Sequence, residues 1–232
     1  MSKGLFIVGT GTDVGKTYVT GLILKKLREH SESVAYYKAA MSGNEEDSNG
    51  KLIPGDALHV KTVSGITQEL ASMCPYIYKI AVSPHLAARI EGGQVDMELV
   101  KEGFNKLTES YDYITMEGSG GILCPIRMDG EEIWLEDIIR EFKLPSLLIA
   151  DAGLGTINQV VLTYHYMKSK GLNIKGIIFN HYHPGDVMEE DNIVMCEKMT
   201  GLKVLGFVRD NADSIDIDAS LLESLYEEMG GI

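Results

Sequence analysis

Residues 4–17 read Gly4-Leu5-Phe6-Ile7-Val8-Gly9-Thr10-Gly11-Thr12-Asp13-Val14-Gly15-Lys16-Thr17. A short apolar run ends in glycine, a glycine-punctuated polar stretch follows, and Val19, Leu22, Ile23 and Leu27 then recur at helical spacing over 16–29. That order is strand, loop, helix. In this context Gly9 to Thr17 is a phosphate loop: its backbone N–H groups and the helix N-terminus face phosphate oxygens, Lys16 adds a mobile positive charge, and the Thr17 hydroxyl can ligate Mg²⁺. The strict motif carries glycine where this chain has Thr10, so the loop is a variant. By itself it specifies nucleotide binding and names no reaction.

The same pattern repeats downstream. Apolar runs at Ser33 to Tyr37, Asp112 to Met116, Ser146 to Ala150, Lys175 to Phe179 and Lys203 to Val208 each end at a polar or glycine-rich stretch. Continuous runs of this kind suit strands buried on both faces, and helical patterns near 96–108, 157–169 and 188–199 separate them. The expected fold is α/β: a doubly wound, mostly parallel sheet with helices on both faces, of the P-loop NTPase type, in one domain over 1–232. Residues 41–55 are expected to form a long polar loop. Ligands of such sheets bind beyond the carboxyl ends of the strands, so Thr10 to Thr17, Lys38, Glu117, Asp151 and Asn180 are the polar residues to watch.

Composition excludes several classes. The chain has 232 residues, 44% hydrophobic and 24% charged, with no apolar stretch long enough to span a bilayer. Its opening is interrupted by Gly9 too early for a secretory leader, so a cytoplasmic protein is expected. A net charge of -13 opposes a general nucleic-acid role, which needs a surplus of Lys and Arg. Cys74, Cys124 and Cys196 lie far apart and read as reduced thiols. His181 and His183 form a His-x-His pair with no third ligand nearby in sequence, which favours a surface loop over zinc.

Three further pieces narrow the chemistry: Tyr37-Lys38 with Ser42 four residues on, Asp56, and Glu117-Gly118-Ser119-Gly120-Gly121. Hard oxygen ligands are what Mg²⁺ selects, and Thr17, Asp56 and Glu117 supply them. Lys38 could instead be a solvated strand-end lysine and Asp56 a helix cap. Glu117, ending a buried strand, is badly placed for an unpaired charge.

With the phosphate loop, Ser83-Pro84-His85, Gly153 to Asn158 and Asn180, these pieces resemble the dethiobiotin synthetases over roughly residues 3–183. The resemblance implies an ATP- and Mg²⁺-dependent ligase of biotin biosynthesis that closes 7,8-diaminononanoate and CO₂ or bicarbonate to dethiobiotin. The route runs through a carbamate and a carbamic-phosphoric anhydride. It implies catalytic roles for Thr12, Lys16 and Lys38. Nucleotide contacts fall on Asp13, Val14, Gly15, Lys16, Thr17, Tyr18, Asp56, Glu117, Gly118, Ser119, Gly120, Asn180 and His181, with Asn180 reading a purine edge. Substrate contacts fall on Thr12, Lys38, Ser42, Gly155, Thr156, Ile157 and Asn158, and the metal ligands are Thr17, Asp56 and Glu117. A homodimer is implied, in which the Gly153 to Asn158 loop of one subunit approaches the substrate tail bound by the other.

The chain departs from the family at Gly11, at Ala39 after the strand-end lysine, and at Phe207 to Asp210, a segment that normally lies against the base. Two rivals remain. A related amidoligase such as a cobyrinic acid synthase carries an appended glutaminase domain, for which this length leaves no room. A partition-type ATPase switch carries a lysine early in the loop, where this chain has Gly9, Thr10 and Gly11.

Overall fold

The computed structural model describes residues 1–30 and 33–230. The chain opens with β1 (Lys3–Gly9), α1 (Lys16–Arg28), β2 (Val34–Tyr37), β3 (Ala40–Met41) and α2 (Gly55–Ser64). β4 (Tyr76–Ile77), α3 (Pro84–Glu91), α4 (Met97–Thr108) and the long β5 (Tyr113–Gly121) follow. Then come β6 (Pro125–Met128), β7 (Glu132–Trp134), α5 (Leu135–Phe142), β8 (Ser146–Asp151), α6 (Thr156–Ser169) and β9 (Ile174–Asn180). The chain closes with α7 (Val187–Thr200), β10 (Val204–Phe207), α8 (Ala219–Ser224) and β11 (Glu227–Glu228).

The central sheet has the order β10-β9-β8-β1-β5-β2, all parallel. Among the described residues its one antiparallel member is β11. On the β8 side β1 is first paired at Phe6, which leaves Lys3 and Gly4 open to Glu228 and Glu227 of β11. After β1 the chain runs outward to β2, returns through β5, and then builds the other half through β8, β9 and β10. The strand order therefore reverses at β1, and the loop that follows it sits at the switch point where such sheets bind ligands.

Pleating divides β1 between two cores. Leu5 and Ile7 pack with Val19, Leu22, Ile23 and Leu27 of α1, Val60 of α2 and Leu222 of α8. Phe6 and Val8 face the opposite side, with Phe104 of α4, Ile138 and Phe142 of α5, Val160 of α6 and Cys196 of α7. All four β1 side chains are fully buried, the condition that makes a parallel strand read as an unbroken apolar run. The outer edge of β2 is closed by one side chain. Gln68 accepts from the Tyr36 N–H at 2.8 Å and donates to the Tyr36 carbonyl at 3.0 Å, as a neighbouring strand would.

The expected strands and helices all form, and 42–54 is a loop braced by Asp47 and Asn44. The helix α5 and the β6–β7 hairpin went unread, because Pro125 to Phe142 mixes charged residues into short apolar pieces without one sustained period. Among the described residues no helix is long and apolar enough to cross a membrane. The cysteines are free, and burial pushes the Cys74 thiol up to about 12 and those of Cys124 and Cys196 up to about 11.

Candidate functional site

The loop after β1 turns into α1 at Gly15, whose φ of +84° is left-handed. Only glycine fits here: a Cβ would lie 2.1 Å from Asn180 Nδ2, besides being strained by the backbone. Lys16 folds back over the loop and donates to the Gly11 carbonyl at 2.8 Å. Burial lowers the Lys16 pKa, against the opposing pull of the Glu117 carboxylate. Loop and helix N-terminus open into a cleft of about 600 Å³ whose lining includes Thr12, Lys38, Ser42, Asp56, Glu117 and Ser119.

The far wall is built on β2, β5 and α2. Lys38 immediately follows β2 and is 5% exposed, which rules out the solvated strand-end lysine. Its ammonium lies 2.6 Å from Asp56 Oδ2 and 2.8 Å from Glu117 Oε1. Burial alone pulls the Lys38 pKa down, yet the two carboxylates outweigh it and the net direction is up, so the side chain stays charged. Asp56 does not cap α2. It sits in the first turn behind Pro54, and its carboxylate turns to Lys38. Its own burial raises its pKa, but Lys38 reverses that and leaves it lowered.

Glu117 is 1% exposed and fully used. Thr17 Oγ1 donates to Oε1 at 2.7 Å, Lys38 bonds the same oxygen, and the Tyr36 hydroxyl donates to Oε2 at 3.2 Å. Burial first, then the Glu117 charge, pushes the Tyr36 phenol well above its ordinary value, so it remains a donor. Tyr36 is a site residue that sequence reading missed, because its alternation with Tyr37 looks like ordinary strand filling. Asp56, Glu117 and Thr17 are linked here, the two carboxylates through the Lys38 ammonium and the Thr17 hydroxyl through Glu117 Oε1. They form a hard-oxygen set that suits Mg²⁺ while leaving positions for phosphate and water.

Other expected residues fall elsewhere. Gly118 lies on the opposite pleat of β5, with Leu135 and Phe6 where its side chain would be, whereas Ser119 and Gly120 line the cleft. The Ser42 hydroxyl donates to the Val82 carbonyl. Asn180 is fully buried, with Nδ2 donating to the Val14 carbonyl at 3.2 Å, so its amide stands behind the phosphate loop. His181 pairs with Asp151 at 2.7 Å. His183 pairs with Glu189 and Asp210, which raise its pKa. Among the described residues no group of three His, Cys, Asp or Glu forms a metal cage.

Gly155, Ile157 and Asn158 line a separate groove of about 440 Å³ with Leu154, Val161, Leu162, Asn192 and Met199, and no residue lines both it and the main cleft. Leu154 is 90% exposed and Leu162 62%. Thr156, at the start of α6, instead lines a small pocket between this loop and Gly11 to Val14.

Comparison with known proteins gives three findings. A family model described as an AAA domain matches residues 3–217. An ATP-dependent dethiobiotin synthetase of Brachyspira hyodysenteriae is 46% identical over 98% of this chain and 100% of its own length; one of Clostridium botulinum is 45% identical over 99% and 100%. Among solved structures, the MinC:MinD cell division complex of Aquifex aeolicus aligns with TM-score 0.57 at 12% identity, covering 97% of this chain and 86% of that one. A ParA family ATPase of Chlorobium tepidum aligns with TM-score 0.53 at 12% identity, over 90% and 84%. At such identity these two likenesses concern the fold alone.

Proposed function

The chain belongs to the ATP-dependent dethiobiotin synthetases, ligases of biotin biosynthesis, and on that premise we propose that its cleft joins 7,8-diaminononanoate to CO₂ through a carbamate and a carbamic-phosphoric anhydride. One amine takes up CO₂. A carbamate oxygen then attacks the γ-phosphorus and ADP leaves. The second amine attacks the carbonyl carbon of the anhydride and expels phosphate, which closes the cyclic urea.

One observation carries this reading: a buried Lys38, held charged by its neighbours, stands beside the phosphate loop between two carboxylates. Phosphoryl transfer needs positioned cations more than a covalent catalyst. A lysine whose pKa is raised is no base. It stabilises anion, here the carbamate and the transferring phosphoryl group, together with Lys16. Thr17, Asp56 and Glu117 would hold Mg²⁺, which supplies charge neutralisation on the ATP phosphates when bound. Thr12, which lines the cleft from the phosphate loop, would bond the carbamate.

The substrate's carboxylate lies several carbons from its amines, beyond the reach of Lys38. The α6 loop offers free N–H groups at a helix start, but in a groove apart from the cleft. A two-fold dimer that brings the partner's loop to this cleft would supply that end and cover exposed Leu154 and Leu162. Mixing inactive Lys38→Ala chains with Gly155→Asp chains should then restore some activity, and confirmed subunit exchange without recovery would remove the shared site.

The function itself is tested by ADP release from ATP with and without 7,8-diaminononanoate and bicarbonate. A strict requirement for the diamine is expected. Hydrolysis indifferent to it would point to an ATPase switch instead.

A further inference from the structure

We propose that Asn44 is a positioning residue for Asp56: from the loop before α2 it caps the helix start and fixes where the Asp56 carboxylate meets Lys38. Asn44 is 5% exposed, although the 42–54 segment reads in sequence as polar loop. Its side chain makes three hydrogen bonds. Oδ1 accepts from the Gly55 N–H at 2.9 Å, and Nδ2 donates to the Met41 carbonyl at 3.0 Å and to the Tyr78 carbonyl at 2.9 Å. Both amide hydrogens and the oxygen are thus used. The reverse amide orientation would set oxygen against two carbonyl oxygens, so the three contacts hold the side chain one way round.

The local sequence explains why a side chain does this. Glu46 and Leu52 face each other in an antiparallel bridge, and the Ile53 N–H donates to the Glu45 carbonyl at 2.9 Å. One step further Asn44 stands opposite Pro54, which has no N–H, so the backbone ladder stops there. Pro54 is also the N-cap residue of α2 and offers it no side-chain cap. The first N–H of the helix, that of Gly55, has no partner within the helix, and Asn44 reaches past the proline to take it. A cap that arrives from another segment does more than satisfy a donor: it ties the helix start to that segment.

The tie joins the two sides of an ion pair. Met41 closes β3, the two-residue strand that begins just past Lys38, and Tyr78 follows β4, the partner of β3. Gly55 is the neighbour of Asp56, whose Oδ2 lies 2.6 Å from the Lys38 ammonium. One buried amide therefore holds the backbone that carries Lys38 to the backbone that carries Asp56. Glu117 needs no such help, since it lies inside β5 with its side chain 0% exposed. Asp56 sits in the first turn of a helix with its side chain 39% exposed, and helix ends fray. Without Asn44 the start of α2 would be free to draw away from Lys38 and take the carboxylate with it.

This inference rests on reading Asp56 as a ligand of Mg²⁺, and it is tested without the diamine, by titration calorimetry of ADP into the whole protein over a series of Mg²⁺ concentrations. In Asn44→Ala the Mg²⁺ concentration that gives half of the metal's gain in ADP affinity should rise about tenfold, as for one lost hydrogen bond near the upper end of the usual range. ADP affinity without Mg²⁺ should stay within about twofold of wild type, a split that general loosening of the cleft would not give. Adding Asn44→Ala to Asp56→Asn should raise the metal requirement no further, because the carboxylate that Asn44 places is already gone. If Asn44→Ala fails to fold, Asn44→Ser, which keeps a small polar group in place, should show the same split. The proposal is overturned if the metal requirement moves by less than about twofold, if metal-free ADP binding weakens as much, or if the two losses add. Should Asp56→Asn itself leave the metal requirement unchanged, the ligand reading falls and this proposal with it; should Asp56→Asn raise it and Asn44→Ala not, this proposal alone falls. An absence of diamine-dependent turnover in the wild type would sink the proposed function and leave this test standing.

Discussion

Two charged pairs at the carboxyl ends of the strands, one in the cleft and one outside its lining, stand in opposite settings. On the β2–β5 side, Lys38 and Glu117 have side chains 6% and 0% exposed and meet at 2.8 Å. On the β8–β9 side, Asp151 and His181 meet at 2.7 Å with side chains 41% and 43% exposed. The contacts are nearly equal in length, and water decides what each is worth. Removing one partner of a buried pair strands a charge that nothing rehydrates, whereas at a half-exposed pair solvent replaces the lost partner. Breaking the first pair should therefore cost more than breaking the second.

Lys38→Ala should separate the two pairs most widely. Turnover should fall on the order of 10²–10³-fold while ATP affinity changes far less, because the lost charge faces the reacting anions. Stability should fall by about 3–5 kcal/mol, the usual cost of leaving a buried carboxylate alone; urea unfolding measures it. Near-normal turnover would remove Lys38 from catalysis and erase the contrast.

Asp56→Asn and Glu117→Gln should each raise the Mg²⁺ concentration needed for half-maximal activity, since an amide replaces a charged ligand. The two should act at one site, and metal titrations that overlay the wild type would refute the assignment.

Asn180→Ala comes next. If the amide works through Val14, ATP and GTP affinities should fall together by up to about tenfold per lost hydrogen bond, with the preference between them unchanged. A shift in that preference would return Asn180 to the base edge.

The smallest effect is in pH. The folded pKa of Lys38 is raised above 10.5, so its contribution to stability is present below that value and lost only as pH rises through the elevated one. Asp56 is lowered below 3.8, so its contribution is present above that value and lost as pH falls through the depressed one. The stability deficit of Lys38→Ala should thus stay level between about pH 5 and 9 and narrow in strong alkali, where Lys38 loses its proton, and in strong acid, where Asp56 gains one. A deficit that varies across neutral pH would mean that another group carries the charge balance.

Much of this molecule was legible before any coordinates. The strand-loop-helix at Gly4 to Leu27, the parallel alternation after it, and Lys38, Glu117, Asp151 and Asn180 at strand ends follow from local periodicity and glycine placement, which act over a few residues. What no local signal carries is partnership at long range. Thr17 and Glu117 are 100 residues apart, Val14 and Asn180 are 166 apart, and His181 finds Asp151 across 30. Those meetings depend on strand order and register, so only the folded sheet decided that Gly118 turns away, that Tyr36 joins the Glu117 cluster, and that the groove lined by Gly155, Ile157 and Asn158 is separate from the cleft. Backbone preference and apolar period are properties of a segment. A hydrogen-bond partner is a property of which segments the sheet sets side by side.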